Sequence, residues 1–110
     1  MKIDVFCEVE KAALEGPGGE HRLLKETLAQ AQLADQAGFD CWWEVEHHGA
    51  VEMSYSSAPD LMLTAIAART QRMRVGHSAV LAPHRFSHPI RIAERAATLD
   101  LLSDGRLEVG

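Results

Sequence analysis

The chain has 110 residues and a mass of 12.1 kDa, with 46% hydrophobic and 25% charged residues. That composition sets aside disorder and fibrous repeats and leaves room for one domain. Eleven Lys and Arg stand against sixteen Asp and Glu, a net charge of −5 with no basic stripe, which argues against nucleic acid or an anionic membrane as partner. No apolar stretch approaches the roughly 20 residues of a membrane span. The start, Met1-Lys2-Ile3-Asp4-Val5-Phe6-Cys7-Glu8, turns acidic too early for a secretory signal. Cys7 and Cys41 lie in apolar runs and read as buried thiols of a reducing compartment, so a cytoplasmic domain is expected.

The run Ile3 to Val9 suits a strand. Glu10 to Gly19, with Gly16-Pro17-Gly18-Gly19, reads as a loop. From Glu20 to Ala37, Leu24, Leu28, Ala31 and Ala34 recur at helical spacing with Lys25, Gln30 and Asp35 between them, and Gly38 stands where a left-handed cap belongs. Phe39 to Val45 is a second strand. Ser57 is placed to cap a helix with Pro59 in its first turn and Asp60 at capping-box spacing, running to Thr70. Met73 to Leu81 reads as a third strand. His88-Pro89 opens a helix over Ile90 to Leu102, closed by Ser103-Asp104-Gly105, and Arg106 to Gly110 begins a fourth strand. Alternation of strand and helix implies right-handed crossovers and a parallel sheet. No Gly-x-Gly-x-x-Gly follows any strand, so a dinucleotide fingerprint is absent. A full (β/α)8 barrel needs about 250 residues. The expectation is therefore one partial domain, residues 1–110: the first half of a barrel, about four strands and three helices.

Polar residues collect where the second and third strands end: Glu44, Glu46, His47 and His48, then His77, Ser78, His84 and His88. Carboxyl ends of parallel strands are where such folds carry their sites. Alternation puts Trp43 and Val45 on one face and Trp42, Glu44, Glu46 and His48 on the other. With the apolar face packed under helices, the carboxylate face is expected to point to the barrel lumen or its mouth, partnered by Arg69, Arg72, Arg74 or a histidine. On this parity His47 falls opposite the carboxylates and reaches the mouth only if the strand has turned. His84 and His88 read as solvated loop residues. A metal site is the weaker reading, because neighbours on a strand point apart and no His-x-His occurs. There is no Gly-x-Ser-x-Gly elbow and no phosphate-binding glycine loop.

Glu46-His47-His48, Ser54-Tyr55-Ser56-Ser57-Ala58-Pro59, Gly76-His77-Ser78-Ala79-Val80-Leu81-Ala82-Pro83, and the stretch His88-Pro89 through Leu99-Asp100-Leu101-Leu102-Ser103-Asp104-Gly105-Arg106 together resemble the bacterial luciferase-like monooxygenases. The resemblance implies a barrel flavoenzyme acting on a small organic substrate with O₂ and reduced FMN, the flavin coming from a separate reductase. It implies His47 as the catalytic acid–base residue and Ser78-Ala79 as a cis peptide against the flavin, with Glu46 and His48 as further cofactor contacts. His77 stands where a Thr is common in the family. The phosphate-gripping residues are expected beyond Gly110, so this chain alone is expected to be inactive and to bind flavin weakly. A homodimer through the second and third helices, rich in Ala65, Ala67, Ala68, Ala93, Ala96 and Ala97, is also implied. The alternatives are a truncated, non-catalytic flavin-binding or interaction homologue, or a deazaflavin-dependent oxidoreductase.

Overall fold

The computed structural model describes residues 1–10 and 16–110; of the loop expected from Glu10 to Gly19, residues 11–15 lie outside the described residues. Seven elements follow in the expected order: β1 (Val5–Cys7), α1 (Gly19–Ala37), β2 (Cys41–Glu44), α2 (Pro59–Ala67), β3 (Arg74–His77), α3 (Pro89–Leu102) and β4 (Leu107–Val109). The four strands pair in parallel, in the order β1-β2-β3-β4.

Strands are shorter than the apolar runs that announced them. Beyond their ends the ladder continues as single bonds, Asp40 N–H to Ile3 O at 2.9 Å and Val45 N–H to Cys7 O at 3.4 Å. Pairing occupies only part of each run. α1 ends as read: Gly38, at φ 88°, donates to Ala34 O and Asp35 O, a left-handed turn that a side chain would strain. Two helix starts differ from expectation. Ser57 makes no capping bond and Ala58 is the cap residue of α2, which stops at Ala67 and not at Thr70. At α3 the cap is His88, whose Nδ1 accepts from the Ile90 amide at 3.2 Å, so this exposed imidazole closes a helix end.

Register rows across the sheet show which way each side chain points. Val5, Trp42, Val75 and Leu107 form one row, and Cys7, Glu44, His77 and Val109 a second. Trp42 and Val75 belong to the core with Ala31, Ala34, Leu63 and Ile66, so both rows lie on the helix side. Phe6, Trp43, Gly76 and Glu108 form the row on the opposite, open face. This inverts the expected placement of β2. Trp42 goes under the helices at 1% exposure and carries Glu44, also 1% exposed, with it, while Trp43 faces the open side. The alternation itself holds. The covered face differs because both faces of β2 offer a tryptophan, and only long-range packing decides which is buried.

Asp35, expected on the polar face of α1, is buried instead. Its carboxylate accepts from the amides of Gln71, Arg72 and Met73 at 3.0, 3.0 and 2.7 Å, gathering the turn that leads into β3. Burial alone would raise its pKa, but these three amides and the Arg72 charge outweigh it and hold the carboxyl below its ordinary value. Arg106 has a matching role at the other side of that turn. Its guanidinium donates to Ser103 O, Thr70 Oγ1, Met73 O and Ala67 O between 2.8 and 3.0 Å. Arg72, one of the arginines expected to partner the β2 carboxylates, donates to Asp35 O, and Arg69 to Ala65 O. Arg74, the third, pairs with Glu108 on β4. Cys7 and Cys41 are free thiols whose burial pushes them up to about 11 and about 12. No helix among the described residues is long and apolar enough to cross a membrane.

Candidate functional site

The residues singled out at the strand ends divide into two clusters, one on each side of the sheet. The open face carries the first. Here the Trp43 indole lies across Gly76: a Cβ at that position would come within 2.3 Å of the ring. Only glycine lets the indole lie down on β3, where its Nε1 donates to Asp4 at 3.0 Å. Phe6, 61% exposed, flanks Trp43 on β1, and the Ser78 side chain and the Trp43 ring both lie against Gly110 at the carboxyl end. The Ser78–Ala79 peptide is cis, as the resemblance implied.

His47 lies three residues past the end of β2, and its contact with Glu8, one residue past β1 and in step with Phe6, puts it on the open side. Its Nε2 lies 3.0 Å from Glu8 Oε2 at the end of β1. Nothing local in the sequence singles out Glu8. It is 39 residues from His47 and sits in a segment that reads only as strand, and no local pattern pairs the two.

The second cluster lies on the helix side. Glu46 sits between two imidazoles, with Oε1 2.9 Å from His48 Nε2 and Oε2 3.1 Å from His77 Nε2. The His77 contact has ion-pair distance without hydrogen-bond geometry, so that buried nitrogen is left without a hydrogen-bond partner. Glu46 Oε2 also accepts from the Leu81 amide at 3.0 Å, fastening the loop after β3 to the end of β2. Burial opposes ionisation of Glu46, but the Leu81 amide, His48 and His77 together hold its pKa below the ordinary value. Burial pulls His77 down, against the opposing charges of Glu46 and Asp60. The cluster opens into a cleft of about 230 Å³ between the sheet and α3, floored by Leu99 and Leu107 and edged by Phe86, whose ring lies 5.9 Å from that of His48. His84 and His88 are exposed and stack edge to face at 5.5 Å.

Glu44, in the same row, is the most deeply buried carboxyl. Ser56 Oγ lies 3.0 Å from its Oε1 and 2.6 Å from Val45 O, and Oε2 has no hydrogen-bond partner. Burial pushes its pKa up to about 7, against smaller opposing contributions from Ser56 and Trp42.

Four parallel strands joined by helices, with polar residues gathered at their carboxyl ends, place the chain in the α/β class that begins a (β/α)8 barrel. The chain matches the luciferase-like monooxygenase family over residues 1–110, and it belongs to that family. It is 33% identical over its whole length to the oxygenase component of a flavin-dependent trigonelline monooxygenase from Acinetobacter baylyi, covering 29% of that protein. The crystal structure of monooxygenase RslO1 from Streptomyces bottropensis superposes with a TM-score of 0.84 at 38% identity, over all of this chain and 32% of that one. The oxygenating constituent of 3,6-diketocamphane monooxygenase from Pseudomonas putida, solved with FMN, has a TM-score of 0.83 at 21% identity over all of this chain and 29% of that one, a likeness of fold alone. Three helices and a four-stranded parallel sheet thus match the first part of luciferase-like barrels, and the chain spans about 30% of the length of these relatives.

Proposed function

We propose that residues 1–110 form the N-terminal part of a flavin-dependent monooxygenase that uses reduced FMN and O₂ on a small organic substrate. The observation that carries this is the open-face floor: the Trp43 ring laid across Gly76, beside Ser78 and Ala79, with exposed Phe6 alongside. An indole ring lying over a glycine with an exposed phenyl ring alongside offers the apolar surface that one side of a planar tricyclic ring needs. Reduced flavin, when bound, supplies the O₂ activation that no side chain can provide. Ser78 and Ala79 would back the ring, and His47 would hold and exchange a proton at its edge. Glu46 contributes from behind by holding the loop that follows Ser78-Ala79, and His48 by pairing with Glu46. A supplier of reduced flavin is part of this reading, supported by the Acinetobacter relative being named as an oxygenase component. Cytoplasmic placement fits the two free thiols.

The test is His47→Ala in the whole enzyme, which is expected to lower kcat by about 10²–10⁴-fold while flavin binding persists. An unchanged kcat would remove the acid–base role. Stronger binding of a deazaflavin than of FMN would move the chain to the deazaflavin-dependent oxidoreductases.

A further inference from the structure

We propose that Glu8 is the positioning residue for His47, and that it selects Nδ1 as the nitrogen that exchanges protons at the open face. An imidazole nitrogen can donate or accept according to tautomer, but a carboxylate only accepts. With Glu8 Oε2 at 3.0 Å, Nε2 must carry the hydrogen. Nδ1 receives no hydrogen bond from any described residue, so in the neutral ring it is the free lone pair.

The pair is held from both sides by one short segment. Ser54 Oγ donates to Glu8 O at 2.5 Å, and the Tyr55 amide donates to Val9 O at 3.1 Å. Two residues on, Ser56 O accepts from the His47 amide at 2.8 Å, and Ser54 Oγ accepts from the Ser56 amide at 3.0 Å. Ser54 and Ser56 are both buried, so the splint sits inside the fold while the two side chains it sets against each other stay accessible. Three residues fix the backbones at the ends of β1 and β2 at once. An acid–base group gains from this, because a ring held in one orientation and one tautomer need not be sorted at each turnover.

The role of Nδ1 rests on the monooxygenase reading above, whereas the Glu8–His47 pairing does not, and the experiment separates them. On the whole enzyme with labelled histidines, the ring-nitrogen resonances of His47, assigned with His47→Gln, report which nitrogen bears the proton. The wild type is expected to show Nε2 protonated with a slowly exchanging N–H. Glu8→Ala should lose that slow exchange and lower kcat about 10- to 100-fold, as outer partners of functional histidines do. KM and flavin affinity should stay unchanged, and Glu8→Asp should recover part of kcat. A His47 proton on Nδ1 overturns the proposal, as does a Glu8→Ala enzyme with wild-type kcat when His47→Ala has lost it. If His47→Ala itself keeps full kcat, the catalytic reading fails, and the ring-nitrogen spectra still decide the pairing.

Discussion

Replacing Glu44 by Gln should make the protein more stable at neutral pH and leave it nearly unchanged in acid. Glu44 is 1% exposed, with one oxygen lacking any hydrogen-bond partner and the other beside a hydroxyl that has a single proton. That proton goes most favourably to Val45 O, the nearer acceptor at 2.6 Å. Burial raises the carboxyl from 4.5 to about 7, against smaller opposing contributions from Ser56 and Trp42. Below pH 4.5 the group is protonated in both folded and unfolded chains and contributes nothing to the pH dependence. As pH rises from 4.5 to 7 the unfolded chain loses this proton while the folded chain keeps it, so stability falls. Above 7 the loss is complete. Each tenfold difference in proton affinity between the two states is worth about 1.4 kcal/mol, so the whole loss amounts to about 3 kcal/mol.

The assay is urea unfolding of wild type and Glu44→Gln at half-unit steps from pH 4.5 to pH 8. Other groups that titrate in this window, His77 among them, cancel in the difference between the two proteins. The variant should gain on the wild type through this interval, reaching a plateau of about 3 kcal/mol above pH 7. A difference that does not change with pH would overturn this account, because it would mean that Glu44 is solvated or paired when ionised.

Asp35→Ala removes the acceptor of three amides and should cost about 2–4 kcal/mol of stability, read by the same unfolding assay, since at least the Met73 amide is then buried unpaired. Because the folded-state pKa of Asp35 is depressed, its contribution is present above the ordinary carboxylate range and is lost as pH falls through the folded value, so wild type and variant should converge in acid. The homodimer through α2 and α3 that the family resemblance implies is best probed on their exposed residues, Leu61 on α2 and Ile90, Ala93, Ala97 and Leu101 on α3. Ala67, at 4% exposure, belongs to the chain's own core, and Ala96 lines the cleft, so neither reports on a partner. Ala97→Glu should halve the mass seen by light scattering with the fold intact, and an unchanged mass would exclude this face.

What can be read from the sequence is what repeats locally. Helical spacing locates α1 and α3, and glycine and proline mark their ends, because those signals depend on residues a few positions apart. The alternation of β2 is also legible, and it sets Trp42 and Glu44 apart from Trp43. Which set faces the helices is not legible, since that choice depends on Ala31, Ala34, Leu63 and Val75 closing around Trp42. With the opposite face taken as covered, His47 would need a turn to reach the mouth, and Glu46 would be a lumen residue. In the structure their contacts place them: His47 joins Glu8 on the open side, and Glu46 and His48 join His77 behind the sheet. Asp35 and Glu8 escape for a related reason. A carboxylate's role is set by its partners, and theirs lie 36 to 39 residues away. In a parallel sheet every such pairing spans at least one crossover helix, so the residues that orient a strand-end histidine are the ones a local reading is least able to supply.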